Sequence, residues 1–347
     1  MEIFFVTGEL APLSGSGPIG RLCGALPKAL RGLDHQLTIF SPLYKQVDPG
    51  ALSLARRLSK LEVKRGDRTY ACELYDGRSP AGVNLVFIGH EELFGPIESI
   101  LEGDDPGAHA LRIGVFAEAA CLAAESRERP PEIVHGHDLL GAAFVSAMGQ
   151  REALSALPSV LTLYDRPTHA RFESAHLEAL GLPEAALRCG DHLDVLAAGT
   201  RRAGRVTAVS RGLAASLLEP GSGHGLEEVI GALPIPIEGV PDGIDVSVWN
   251  PITDPHLSHR FDPEDLRGKR HAKTEIQRSL ELPIRPEVPL IFAHGGADPA
   301  DGLDRLAEIL PEILQNDVQI VVQAIDESES VETMEECGAR FDERLRV

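Results

Sequence analysis

Three segments carry residue types that do chemistry. The first is His135-Gly136-His137-Asp138, directly after a short apolar run. In an open α/β sheet ligands bind at the carboxyl ends of strands, which is where this segment falls. Two imidazoles and a carboxylate are metal ligands in kind. On one extended segment, however, His135 and His137 share a side while Asp138 points away. A substrate contact, a hydrogen-bonding or capping role and a metal site are the three readings. The second segment is Ser14-Gly15-Ser16-Gly17-Pro18-Ile19-Gly20, which contains a literal G-x-G-x-x-G. In a dinucleotide site such glycines let the backbone approach a pyrophosphate at a helix N-terminus. Here the loop starts roughly seven residues after the first strand, where the fingerprint expects it at once. The second strand ends Ile39-Phe40-Ser41, with no acid for a ribose. The loop therefore reads as the lining of a sugar or phosphate pocket, or as a turn needing positive φ, with a nicotinamide site as the weaker alternative. A third segment, Asp242-Gly243-Ile244-Asp245, is either functional or a turn with local Asx hydrogen bonds. His169, His176, His192 and His294 show no recognisable spacing.

These segments need elements to hold them. Ile3 to Thr7 reads as a buried strand. Leu22, Leu26, Leu30 and Leu33 predict a helix from about Ile19 to Gly32, with Pro27 inside it. Leu37 to Phe40 closes a β-α-β unit. Tyr70 to Tyr75 and Val83 to Ile88 predict a hairpin with Asp76-Gly77 in its connection. Leu111, Val115, Ala119 and Leu122 mark a helix face. Ile133 to His135, Val160 to Leu163 and Arg205 to Val209 are further strands, and Ser210 is placed to cap the next helix. The chain turns proline-rich from Pro234 to Pro241, so the domains divide as 1–242 and 243–347. Beyond that point follow a helix (Lys269 to Leu280), a strand (Leu290 to Ala293), a helix (Leu303 to Leu314) and a strand (Val318 to Gln323). Strands alternating with helices imply a parallel sheet covered on both faces, an α/β fold.

With 347 residues, 33 basic and 53 acidic, the chain carries a net charge of −20. A surface that acidic repels phosphate backbones and anionic membranes, so neither nucleic acid nor membrane is an expected partner. The five cysteines, Cys23, Cys72, Cys121, Cys189 and Cys337, are widely scattered. That pattern reads as reduced thiols in a cytoplasm. No apolar run approaches the roughly 18 residues that span a bilayer.

Together the landmarks resemble the bacterial glycogen synthase and plant starch synthase family of glycosyltransferases. The matching stretches are Glu9-Leu-Ala-Pro-Leu13, Gly24-Ala-Leu-Pro-Lys28, Val134-His-Gly-His-Asp138, Val206-Thr-Ala-Val-Ser210, Asp242-Gly-Ile-Asp245 and Val248-Trp249-Asn250-Pro251. The resemblance implies two Rossmann-like domains of the GT-B type with a cleft between them. It implies transfer of glucose from ADP-glucose to an α-1,4-glucan, with retention and with neither metal nor other cofactor. It makes His137 and Asp138 the catalytic residues, and Gly15, Gly17, His135 and Asp242 the contacts to donor or glucan.

The sequence departs from the family at several positions. The family's first loop, Lys-Thr-Gly-Gly-Leu-Ala-Asp, is here Gly15-Ser16-Gly17-Pro18-Ile19-Gly20-Arg21. A His-Asn pair becomes Tyr164-Asp165. The Arg and Lys that hold the diphosphate align with Gly296 and Asp301. Such cations stabilise the charge that develops as the bond to diphosphate breaks, and losing one donor costs about 10²–10³ in rate. About two strands and two helices follow the hinge, so the second domain reads as incomplete. The expectation is a degenerate donor site in a protein that binds α-glucan, or that pairs with a partner chain or a second copy over an exposed apolar patch near Leu290 to Gln323. The alternatives are an active transferase that holds another donor with Arg21 or Arg166 and, more weakly, a nicotinamide-dependent oxidoreductase.

Overall fold

The computed structural model describes residues 1–347 except 16, 166–169, 222–224, 297–300 and 326. The chain divides into two compact units, Met1–Ile244 and Asp245–Val347.

The first unit begins β1 (Glu2–Val6), α1 (Pro18–Gly32), β2 (Gln36–Pro42), β3 (Ala55–Arg56), β4 (Leu61–Arg65), β5 (Arg68–Arg78), β6 (Asn84–Gly89) and α2 (Pro106–Glu125). It continues with β7 (Ile133–His137), α3 (Asp138–Met148), β8 (Ser159–Leu163), β9 (Arg171–Phe172), α4 (Leu177–Leu180), α5 (Glu184–Leu187), β10 (Arg188–Cys189) and β11 (His192–Asp194). It closes with α6 (Val195–Arg202), β12 (Arg205–Ala208), α7 (Arg211–Ser216), α8 (Leu226–Gly231) and β13 (Glu238–Gly239).

The main sheet runs β13-β12-β8-β7-β1-β2-β6-β5-β3, with β4 beside β5. Pairing is parallel from β13 through β6 and antiparallel beyond. From β1 the chain builds outward through β2 to one side, then returns to add β7 on the other. The strand order therefore reverses between β1 and β7, and the crevice beyond their carboxyl ends is the topological switch point. Ile3, Phe4, Phe5 and Val6 are all buried, as a central parallel strand requires. In α3 every residue from Leu139 to Met148 is buried, which makes it a core helix.

The expected hairpin forms, but its turn lies elsewhere. β5 runs straight through Asp76-Gly77, and the chain reverses at Ser79–Gly82, where the Ser79 amide donates to the Val83 carbonyl at 2.9 Å. Asp76 is held in the strand by Arg57 at 2.5 Å and Arg127 at 2.7 Å. Gly82, at φ +79°, takes the left-handed position instead. A second correction concerns α2, a twenty-residue helix long and apolar enough by composition to span a bilayer. Arg112 and Glu118 interrupt its run of apolar letters, which hides that length in the sequence. Its Ala110, Ile113, Phe116 and Ala120 are buried in the core of the unit, as in a core helix of a folded domain.

The second unit holds α9 (Arg267–Ser279), β14 (Leu290–Gly295), α10 (Leu303–Ile313), β15 (Gln319–Ala324), α11 (Glu329–Arg340) and β16 (Leu345–Arg346). Among the described residues its sheet has three parallel strands, β14-β15-β16, one strand and one helix more than the sequence pattern shows. Ile320, Val322 and Leu345 pack with Leu310, Met334 and other residues of α10 and α11. The opposite face presents Leu290, Phe292 and Val321 to a groove of about 760 Å³ shared with Ile276 and Leu280. Phe292 is 62% exposed and Ile291 41%, so the apolar patch expected in this stretch is open in the chain alone.

A glycine pair seats β7 against α3. A Cβ on Gly136 would lie 2.8 Å from the Gly141 carbonyl oxygen, and one on Gly141 would run into the Gly136 backbone. Gly141→Ala is therefore expected to lower stability by about 1–3 kcal/mol through overpacking. Urea denaturation followed by circular dichroism measures this. An unchanged midpoint would contradict the close approach.

Candidate functional site at the switch point

The strand ends at the switch point deliver their side chains to one place. Gly8 and Glu9 follow β1, His137 ends β7 and Asp138 opens α3. With Ile19, Tyr44, Ile100 and Leu140 they line a cavity of about 190 Å³. An apolar cavity of about 150 Å³ already admits a benzene ring, so this one accommodates a single six-membered ring.

His137 is fully enclosed. Its ring stacks on Phe5 at 4.0 Å and lies 4.0 Å from the ring of His135. Its Nδ1 is 2.7 Å from the Tyr164 hydroxyl. Its Nε2 is buried and has no hydrogen-bond partner among the described residues. Burial, reinforced by the neighbouring His135, drives its pKa well below the ordinary histidine value, so the ring is neutral. A neutral imidazole with one nitrogen engaged offers the other to a ligand hydroxyl. Tyr164 in turn lies 3.8 Å from Cys23 Sγ, which accepts from Thr7 Oγ1 at 3.2 Å. Burial pushes the Cys23 thiol up to about 12 and raises the Tyr164 phenol, so neither ionises here.

Asp138 adopts φ +49°, a left-handed conformation costly for a residue with a Cβ. The turn lets α3 start immediately after β7 and places the carboxylate at the cavity. Glu9 is partly buried, and its Oε2 accepts from the Gly20 amide at 3.2 Å. Burial raises its pKa, the Gly20 amide lowers it, and the nearby Asp138 charge raises it again.

The glycine loop folds over that carboxylate. Gly15 sits at φ +70°, and a Cβ there would collide with Glu9; one on Gly20 would collide with the Gly15 carbonyl. Gly17 is the N-cap of α1, at φ −70°. The positive φ anticipated for this loop thus falls at Gly15, while Ser16 lies outside the described residues. His135 goes elsewhere: its Nε2 is 2.8 Å from Thr162 Oγ1, which is 2.9 Å from Thr207 Oγ1. Its side chain does not line the cavity. Asp242 is exposed, and its charge acts on Tyr164, so it is near the same strand ends. In the second unit the Asp301 carboxylate accepts from the Gly296 amide at 2.7 Å. Arg166 and His169 lie outside the described residues.

His137 and Asp138 line one cavity; Glu9, Tyr44 and Cys23 are not among the site residues expected from the sequence. Glu9 carried a usable signal, being polar and directly after the first strand. Tyr44 and Cys23 carried none, because only the fold brings them to the strand ends.

The two buried histidines make stability depend on pH. Burial lowers His135 to about 4, and His137 is lowered too. Below about pH 6.5, the unfolded value, the unfolded chain takes up protons that the folded rings refuse. Their contribution is therefore complete above that pH and declines as the pH falls toward about 4. His135→Gln, which keeps a hydrogen-bonding group for Thr162, is expected to flatten the fall in urea midpoint between about pH 7 and about pH 5. Equal slopes in parent and variant would contradict burial of a neutral ring.

Comparison with known proteins fits this arrangement. Residues 2–232 match the family model described as the starch synthase catalytic domain. Glycogen synthase of Anaeromyxobacter sp. (strain Fw109-5) is 33% identical over 99% of this chain and 74% of its own length. Soluble starch synthase 1 of Solanum tuberosum is 30% identical over the whole chain and 58% of its own length. The catalytic domain of starch synthase IV from Arabidopsis thaliana, solved with ADP and acarbose bound, superposes with a TM-score of 0.85 at 21% identity, over the whole chain and 73% of that structure. That likeness establishes a GT-B type fold. The strand-end motifs, the sheet order and the sequence matches agree, and the chain belongs to the glycogen and starch synthase family of glycosyltransferases.

Proposed function

We propose that this chain is an α-glucan-binding member of its family whose donor site no longer supports efficient glucose transfer from ADP-glucose. One observation carries the reading. The switch-point cavity is lined by the neutral His137 together with Glu9 and Asp138. Hydroxyl groups donate to carboxylates and exchange hydrogen bonds with imidazole, so the lining suits a neutral polyol. A diphosphate brings negative charge to a place that already holds two carboxylates.

The loops add to this. Where the family resemblance expects a lysine, Gly15 packs on Glu9, and the Gly20 amide is spent on that carboxylate. In the second unit the Gly296 amide is spent on Asp301. The same engagement of Gly20 weighs against a pyrophosphate of a nicotinamide cofactor. The open apolar groove on the second unit supports a further part of the proposal, a partner chain or a second copy covering it.

Two measurements test the proposal. Incorporation of glucose from ADP-glucose into glycogen is expected to run at least about 100-fold below that of the Anaeromyxobacter relative, the loss set by one missing donor to the leaving group. Transfer within about tenfold of the relative would overturn it. Calorimetric titration with a maltooligosaccharide is expected to show saturable binding, weakened about tenfold by His137→Ala, or 1.4 kcal/mol. No binding to the parent chain, or equal binding to the variant, would remove the glucan role.

A further inference from the structure

A second cluster of reactive side chains lies in the first unit, on the short hairpin β10–β11. Cys189 and His192 are directly opposed in this antiparallel pair, so their side chains share a face. Asp194 lies two residues beyond His192 on the same strand and returns to that face. The Sγ, imidazole nitrogen and carboxylate oxygen of the three residues lie within 4.8 Å of one another. Nothing in the family resemblance assigns these residues a role.

We propose that Cys189, His192 and Asp194 form a three-ligand site for a thiophilic divalent transition metal, of which Zn²⁺ is the type. The polar atoms of the cluster are arranged for a ligand. Asp194 is fully buried; its Oδ1 accepts from the Ala197 amide at 2.9 Å, as the N-cap of α6. Its Oδ2 is buried with no partner among the described residues. His192 Nε2 is likewise buried without one, while Nδ1 lies 3.3 Å from the exposed Asp191 carboxylate. A metal-bound histidine characteristically gives its second nitrogen to a carboxylate, which fixes the tautomer and leaves the other nitrogen as ligand. Here Asp191 occupies that position beside Nδ1, which leaves the buried Nε2 as the ligand in this assignment.

Charge and chemistry agree with this assignment. A thiolate, a carboxylate and a neutral imidazole bound to a dication sum to zero, which removes the cost of burying two separate charges. Burial raises both the Cys189 thiol and the Asp194 carboxyl in the metal-free chain. Bound metal reverses both, since the ligands bind deprotonated. Sulfur, nitrogen and oxygen in one set select a borderline ion over Mg²⁺ or Ca²⁺. A tetrahedral ion with bonds of about 2.0–2.3 Å sets its ligands roughly 3.3–3.8 Å apart, so closure needs only small side-chain rotations. A cavity of about 360 Å³ borders the cluster on its Cys189 side. Its place on the hairpin leading into α6 makes it a structural clip.

Cobalt titration of the full chain, freed of metal with chelator and kept reduced by a phosphine, tests the site. One equivalent of Co²⁺ is expected to give tetrahedral d–d bands and a thiolate-to-cobalt charge-transfer band, both bleached by Zn²⁺. Cys189→Ser is expected to abolish the charge-transfer band. Asp194→Asn keeps an oxygen for the Ala197 amide, so it is expected to melt like the parent without metal yet lose the Zn²⁺-dependent rise in melting temperature. Asp191→Asn is expected to weaken binding about tenfold. A parent chain with no charge-transfer band, a band that survives Cys189→Ser, or an Asp194→Asn variant stabilised by Zn²⁺ as fully as the parent would each overturn the assignment.

Discussion

The candidate site depends on where the Glu9 carboxylate sits. It lies at the end of the central strand, beneath a glycine loop folded tightly enough that Gly15 and Gly20 have no room for a side chain. Glu9 takes the Gly20 amide and stands close enough to Asp138 for that charge to disfavour ionisation of Glu9. A glycine loop at a helix N-terminus is ordinarily a cradle for an external anion. Here the chain supplies its own anion. The cavity beside it is ring-sized and lined by two acidic residues and a neutral histidine.

The fold fixes that histidine's state. Phe5 and His135 both pack against the His137 ring, and Tyr164 holds its Nδ1. Removing an imidazole from water favours its neutral form, so His137 meets a ligand as a hydrogen-bonding group with no charge. His135 has a different task. Through Thr162 and Thr207 it ties β7 to β8 and β12 across the sheet. The two histidines share a face, as their spacing requires, but only the one at the strand end reaches the cavity.

Much of this was legible in the residues. An apolar run ending in His-Gly-His-Asp marks a strand end, and strand ends at a switch point bind ligands, so the place of His137 and Asp138 follows from pattern alone. The turn after β5 was not legible, because Asp76-Gly77 is ordinary turn chemistry until Arg57 and Arg127 are known to hold Asp76 in the strand. Nor was β16 (Leu345–Arg346), since two residues make no periodicity. The Cys189, His192 and Asp194 cluster was hidden for a further reason: its spacing gains meaning only once β10 and β11 are paired. Local pattern reveals what lies along the chain, and these features depend on what lies across it.

Calorimetric titration of ADP into the parent chain and into a Glu9→Gln, Asp301→Asn double variant bears most directly on the self-filled cradles. No saturable binding to the parent is expected at millimolar nucleotide, and measurable binding is expected once both carboxylates are neutralised. Micromolar ADP binding to the parent chain would contradict it.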